Sequence, residues 1–177
     1  MLSKALTKAL NDQVNAEIYS AYLYLSMSAY AEGEGLKGAA NWLYAQTQEE
    51  MAHAIHMYQY ILDRGAVPVL PEIKAPEASF KGLTDVFKKV LAHEKTVTAR
   101  INNIATLAMK ESDHACYQFI MWYVNEQVEE ESGAQDILSK LALIGDDKGH
   151  LLSLESELGA RTFNNPFPND TKLGGTA

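Results

Sequence analysis

Along four stretches of the chain, apolar residues recur at alternating spacings of three and four, the pattern of helices that pack almost parallel. The first stripe reads Leu6, Leu10, Val14, Glu17, Ala21, Tyr24 and Ser28; the second reads Ala39, Leu43, Gln46, Glu50, His53, Met57 and Tyr60. The third carries Leu83, Phe87, Val90, Glu94, Val97, Ile101, Ile104 and Ala108. The fourth runs through Cys116, Ile120, Tyr123, Gln127, Glu130, Ala134, Ile137, Leu141 and Ile144. Near its middle each stripe is broken by polar residues where a core residue belongs. Glu17 breaks the first, Glu50 and His53 the second, Glu94 the third, and Gln127 with Glu130 the fourth.

Punctuation sets the ends of these elements. Ser3 is a suitable N-cap for a helix reaching about Glu32, ahead of Gly33 and Gly35. A second helix is predicted from Leu36 to Arg64, a third from Leu83 to Met109, and a fourth from a cap at Ser112 or Asp113 to Ile144, closed by Gly145. Each would hold roughly 27 to 32 residues and span about 40 to 48 Å. The segment from Gly65 to Lys81 contains Pro68, Pro71 and Pro76 and cannot be a continuous helix. Its length fits an extended strap between two parallel helices. The expected fold is therefore all-α, a four-helix bundle with one long crossover between helices 2 and 3. Leu151, Leu154 and Leu158 add a short fifth helix, so that residues 1–160 form one domain. Residues 161–177, with Pro166, Pro168, Gly174 and Gly175, read as a disordered C-terminal tail.

The polar interruptions share one level. The helix centres fall near Ile18, Glu50, Thr96 and Val128, and each interruption lies within about two to four residues of its centre, roughly 3 to 6 Å. Glu50 with His53 and Gln127 with Glu130 are i, i+3 pairs that share a helix face. A bundle of equal helices would gather four carboxylates, one imidazole and one amide at mid-height. Buried carboxylates are costly unless something positive compensates them, and no Lys or Arg falls on the stripes. Bound metal would supply the compensation, and two divalent ions would neutralise four carboxylates. Oxygen donors with one imidazole suit Fe, Mn or Zn. Glu50 and Glu130, each with a ligating neighbour three residues away, are best placed to serve both ions.

Composition removes other classes. At 177 residues the chain fits one domain, and 47% hydrophobic with 21% charged content belongs to a globular protein. A net charge of -8 argues against nucleic-acid binding, which needs a basic face. Cys116 is the single cysteine, so neither an intrachain disulfide nor a thiolate metal site is available. No apolar run approaches the ~20 residues needed to span a bilayer. Lys4, Lys8 and Asp12 break up the N-terminal region, which leaves no signal-peptide core and makes the cytoplasm the expected location. Tyr22, Tyr30, Trp42 and Leu158 read as surplus apolar surface that suggests partners without giving their symmetry.

The run Glu49-Glu50-Met51-Ala52-His53, with Glu17 and Glu94 on neighbouring helices, resembles the ferritin family over about residues 1 to 160. Ferritin-like di-iron bundles commonly carry two Glu-x-x-His motifs. This chain has one, with Gln127-Val128-Glu129-Glu130 in place of the second. That asymmetry is similar to bacterial non-haem ferritins rather than to bacterioferritins or rubrerythrins. The resemblance implies iron storage in a hollow homo-oligomeric cage of 24 subunits and a ferroxidase that oxidises Fe(II) with O2 or H2O2. It implies one iron at Glu17, Glu50 and His53, and a second at Glu50, Glu94 and Glu130 with Gln127 nearby. A third site beside the pair would use Glu49, Glu126 and Glu129. Tyr24, placed to hydrogen-bond a ligand carboxylate such as Glu94, and Trp122 correspond to aromatic electron donors beside the pair. Met51 occupies the place of the haem-ligating methionine of bacterioferritins; without the two-motif site it is expected to pack at an interface, and haem is not expected.

Two other functions are compatible with this architecture. One is a storage cage without its own oxidation chemistry, although the full ligand set would then serve nothing. The other is a rubrerythrin-like di-iron peroxidase, whose CxxC electron-transfer domain a single cysteine rules out.

Overall fold

A computed structural model of the chain describes residues 1–167. It contains α1 (Lys4–Gly33), α2 (Lys37–Asp63), α3 (Leu83–Lys110), α4 (His114–Ile144) and α5 (Lys148–Gly159), with no strand among the described residues. Every predicted helix forms, with ends within one or two residues of the expected positions. Ser3 caps α1 by accepting from the Leu6 amide at 3.0 Å, and Asp113 caps α4 by accepting from the Cys116 amide at 3.0 Å. Among the described residues no helix is long and apolar enough to cross a membrane.

α1 and α2 form one antiparallel hairpin and α3 and α4 the other. Arg64, just after α2, pairs with Asp113 just before α4 at 2.8 Å, so these two helix ends meet. The strap between α2 and α3 crosses the full height of the bundle along α1. It begins beside Asn11, whose Oδ1 accepts from the Val69 amide at 2.7 Å. It passes Ser26, which donates to the Glu77 carbonyl at 2.7 Å, and ends where Phe80 packs on Tyr30. A long connection is thus held down by polar side chains of α1, and α2 and α3 run parallel, as the strap predicted.

The apolar interior is divided into two. Met27, Leu43, Phe87 and Leu141 belong to the half at the α5 end; Leu10, Met57, Ile101 and Ile120 belong to the half at the other end. Between them lie the buried polar residues Glu17, Gln46, Glu50, His53, Glu94, Gln127 and Glu130. Cys116 is a buried free thiol in the second half, the small hydrophobe its stripe position implied.

α5 folds back over the start of α2, and this corrects part of the expected exposed surface. Trp42 and Leu158 are buried within the chain, Trp42 edge-on to Phe87 at 5.3 Å, whereas Tyr22 remains exposed. The α2 N-terminus has no side-chain cap of its own. Glu155 of α5 supplies one, accepting from the Gly38 amide at 2.7 Å and the Ala39 amide at 3.0 Å, where a carboxylate also meets the positive end of the helix dipole. The approach is so close that a Cβ on Gly38 would stand 1.9 Å from the Glu155 carbonyl oxygen. Gly38→Ala must therefore push α5 away. The expected result is a stability loss of about 3 kcal/mol in denaturant unfolding, with faster amide exchange in α5 while α1 to α4 keep their protection.

Candidate metal centre

Each helix delivers its polar residues to mid-bundle because heptad packing of the flanking stripes leaves them no other direction. Glu17 comes from α1, Glu50 and His53 from α2, Glu94 from α3, and Gln127 with Glu130 from α4; all are buried. Glu17, Glu50 and His53 can each offer a ligand atom within 4.8 Å of the others. The Nδ1 atom of His53 lies 3.5 Å from Glu50 Oε2, one helical turn away. Glu94 and Glu130 are near enough to Glu50 to repel it, but these three do not close into a cluster of the same tightness.

Neutral donors orient the carboxylates. Gln13 donates to Glu17 at 2.8 Å, and Gln46 donates to Glu130 at 2.7 Å. Tyr24 donates its hydroxyl to Glu94 Oε1 at 2.5 Å, the partner its stripe position pointed to. Gln127 holds the other oxygen of Glu94 at 3.1 Å. Tyr123 donates to the His53 carbonyl at 3.1 Å, and Trp122 stands edge-on to the His53 ring at 5.4 Å. Glu17 and Glu130 are thus each aimed by a donor on one oxygen, and Glu94 by donors on both. Glu17 Oε2 and His53 Nε2 are fully buried atoms with no hydrogen-bond partner, which is costly in a finished core.

The electrostatics match a site built for cations. Burial pushes Glu17 up to about 7. Burial first, and then repulsion from neighbouring carboxylates, drives Glu50 and Glu130 well above the usual carboxylate range. Glu94 is also raised by burial, although Tyr24 and Gln127 oppose the shift. His53 is held down to about 3 by burial and by nearby His56, so its imidazole is neutral and keeps a lone pair for a metal. This donor set fits divalent iron, whose charge would reverse every one of the carboxylate shifts.

A second cluster lies on the outer side of His53. Glu49, His53 and Glu126 can offer ligand atoms within 4.8 Å of one another. Burial and repulsion from Glu49 and Glu129 push Glu126 up to about 7. Glu129 itself stands exposed at the rim and is not part of that cluster. Met51 is on the exposed surface of α2, 40% accessible.

Some participants are not apparent from the stripes. Gln46 lies on its stripe but reads there as an ordinary boundary position, and Gln13 lies one residue off its own. Arg161 and Phe167 belong to the expected tail. Residues 161–167 lie against the bundle: Arg161 Nη2 is 2.5 Å from Glu49 Oε2, and Phe167 stacks on His56 at 3.7 Å. Positions 168–177 of that tail fall outside the described residues.

The family described as ferritin-like domain matches residues 7–144. A bacterial non-heme ferritin of Staphylococcus epidermidis is 43% identical over 93% of this chain and 99% of its own length. One from Staphylococcus aureus is 42% identical over the same shares. Among solved structures, the open pore ferritin of the hyperthermophilic archaeon Archaeoglobus fulgidus superposes with a TM-score of 0.90 at 47% identity, covering 92% of this chain and 100% of that one. A humanized archaeal ferritin gives 0.91 at 48% identity, over 93% and 99%.

Proposed function

The chain belongs to the ferritin family, and on that premise we propose that it stores iron in a homo-oligomeric cage and is itself the ferroxidase that loads it. The observation that carries the oxidation chemistry is the convergence of Glu17, Glu50 and His53, with two buried atoms left unpartnered and burial raising both carboxyls. A passive container has no use for such a group. One Fe(II) binds Glu17, Glu50 and His53; the second binds Glu50, Glu94 and Glu130, with Gln127 steadying Glu94. Glu50 serves both ions, and the carboxylates give up protons as iron enters.

Each Fe(II) then gives one electron to the oxidant. Two Fe(II) and two protons convert O2 to H2O2, or H2O2 to two waters. Hard anionic oxygens favour Fe(III) over Fe(II), so the site lowers the cost of the product state. Gln13, Gln46, Gln127 and Tyr24 fix the carboxylates so that little reorganisation accompanies the charge change. Tyr24 and Trp122 are placed to donate further electrons. Ferric iron leaves the pair as a hydrolysed seed for mineral, and Glu49, Glu126 and Glu129 offer it a stop outside the pair. The same proposal places the assembly at 24 subunits in the cytoplasm.

Loading the protein with Fe(II) in air and then separating it by size checks both halves of this reading. Iron should elute with the protein in an assembly roughly twentyfold heavier than the 19.6 kDa chain. Iron eluting apart from the protein, or a dimer as the largest species, would overturn it.

A further inference from the structure

Glu49 stands apart from the other candidate ligands in what holds it. Glu17, Glu94 and Glu130 are oriented by neutral amides and a phenol, which compete with a metal for a carboxylate less than a cation does. Glu49 is held by a cation. The Arg161 guanidinium lies 2.5 Å from its Oε2, and the pair is largely sheltered, with side chains 26% and 17% exposed.

The arginine is also seated by features that have nothing to do with Glu49. Its guanidinium carbon lies over the Trp42 ring, 4.6 Å from the centroid, in a cation–π contact. Its backbone carbonyl accepts from Asn41 Nδ2 at 2.8 Å. At the other end of the segment, Phe167 stacks on His56 and packs 4.5 Å from Trp122. Glu49, His53 and His56 are successive turns on one face of α2, so residues 161–167 run along that face and across the mouth of the outer cluster. His53 Nε2, buried and without a partner, belongs to a residue of that same cluster.

We propose that Arg161 is the built-in counter-cation of the Glu49–Glu126 position and makes it the last of the metal positions to fill: an incoming divalent ion must displace the guanidinium from Glu49. This rests on the ferroxidase reading given above. A planar fork bonded to a carboxylate competes for the same lone pairs a metal needs, so arginine and metal exclude each other. The inner pair has no such competitor and binds first. Arg161 is a positioning residue: it occupies Glu49 directly, and only its longer-range field reaches Glu126 and Glu130.

The test uses the assembled protein and Zn2+ as a divalent probe that undergoes no oxidation, titrated by calorimetry. The unaltered protein is expected to show two tight sites per subunit and a weaker one. Arg161→Ala should change the tight sites far less than the weak one, which it should strengthen about tenfold, within the usual range of coupling between competing ligands. Arg161→Lys should restore most of the weakening, and raising salt should narrow the gap between the variants. In a Glu49→Gln background, Arg161→Ala should have a much smaller effect, because only its field at Glu126 and Glu130 remains to be removed. Weak-site affinity that is unchanged in Arg161→Ala, or lost outright, would overturn the proposal while leaving the ferroxidase reading intact. Absence of the two tight sites from the unaltered protein would overturn both.

Discussion

Replacing Glu50 by Ala is expected to abolish rapid Fe(II) oxidation while leaving the bundle folded. Glu50 is the one candidate ligand with close neighbours on every side: it shares a cluster with Glu17 and His53 and is repelled by Glu94 and Glu130. In the proposed two-iron arrangement both ions would lose a donor without it, and the two halves of the site would lose the group that joins them. A stopped-flow measurement should find the initial oxidation rate at least about a hundredfold lower, the upper end of what losing a mere hydrogen-bond partner of a ligand costs. Helicity and assembly size should not change. Glu50→Gln, which keeps the shape and removes the charge, should be nearly as slow. Oxidation at the unaltered rate in either variant would mean that the chemistry happens elsewhere on the protein.

The second large effect is on stability. Glu17 is neutral in the folded, metal-free protein up to about 7, against 4.5 when unfolded. Between those values the folded state binds more protons than the unfolded state, so stability falls as pH rises and the loss is complete above 7. A displacement of that size corresponds to about 3 kcal/mol from Glu17 alone, or roughly 10 °C in melting temperature for a chain of this length. Glu50, Glu94 and Glu130 are displaced in the same direction and add to it. Calorimetry of the metal-free protein should therefore show a lower melting temperature at pH 8 than at pH 5. Divalent ions should recover the deficit at pH 8 and do less at pH 5, where Glu17 remains protonated. Glu17→Gln should shrink the deficit. A metal-free protein as stable at pH 8 as at pH 5 would contradict the burial described here.

Most of the fold was legible because its rules are periodic. Alternating apolar spacings placed four helices within a residue or two, and three prolines marked the strap. The inner site was legible for the same reason: Glu17, Glu50, His53, Glu94, Gln127 and Glu130 each interrupt a stripe whose direction the flanking residues dictate. Contacts that obey no period were not legible. Arg161 and Glu49 are 112 residues apart in sequence, and a coil segment has no face that would announce which helix it lies on. The same limit explains Glu155, whose capping of α2 depends on the angle at which α5 folds back. Trp42 read as surplus surface because nothing in its own helix reveals the helix that covers it. Gln13 and Gln46 reveal their role only through the carboxylates they orient.

The division of the core into two apolar halves has a consequence for how the chain finds its alignment. Heptad stripes are nearly translation-invariant: a helix slipped by one heptad, about 10 Å, would still pair leucine with leucine. The polar layer breaks that degeneracy. Any slip would drive Glu17, Glu94 or Glu130 into hydrocarbon and carry a leucine into the layer. The carboxylates therefore act as an alignment mark for the helices, legible to the folding chain before any metal arrives.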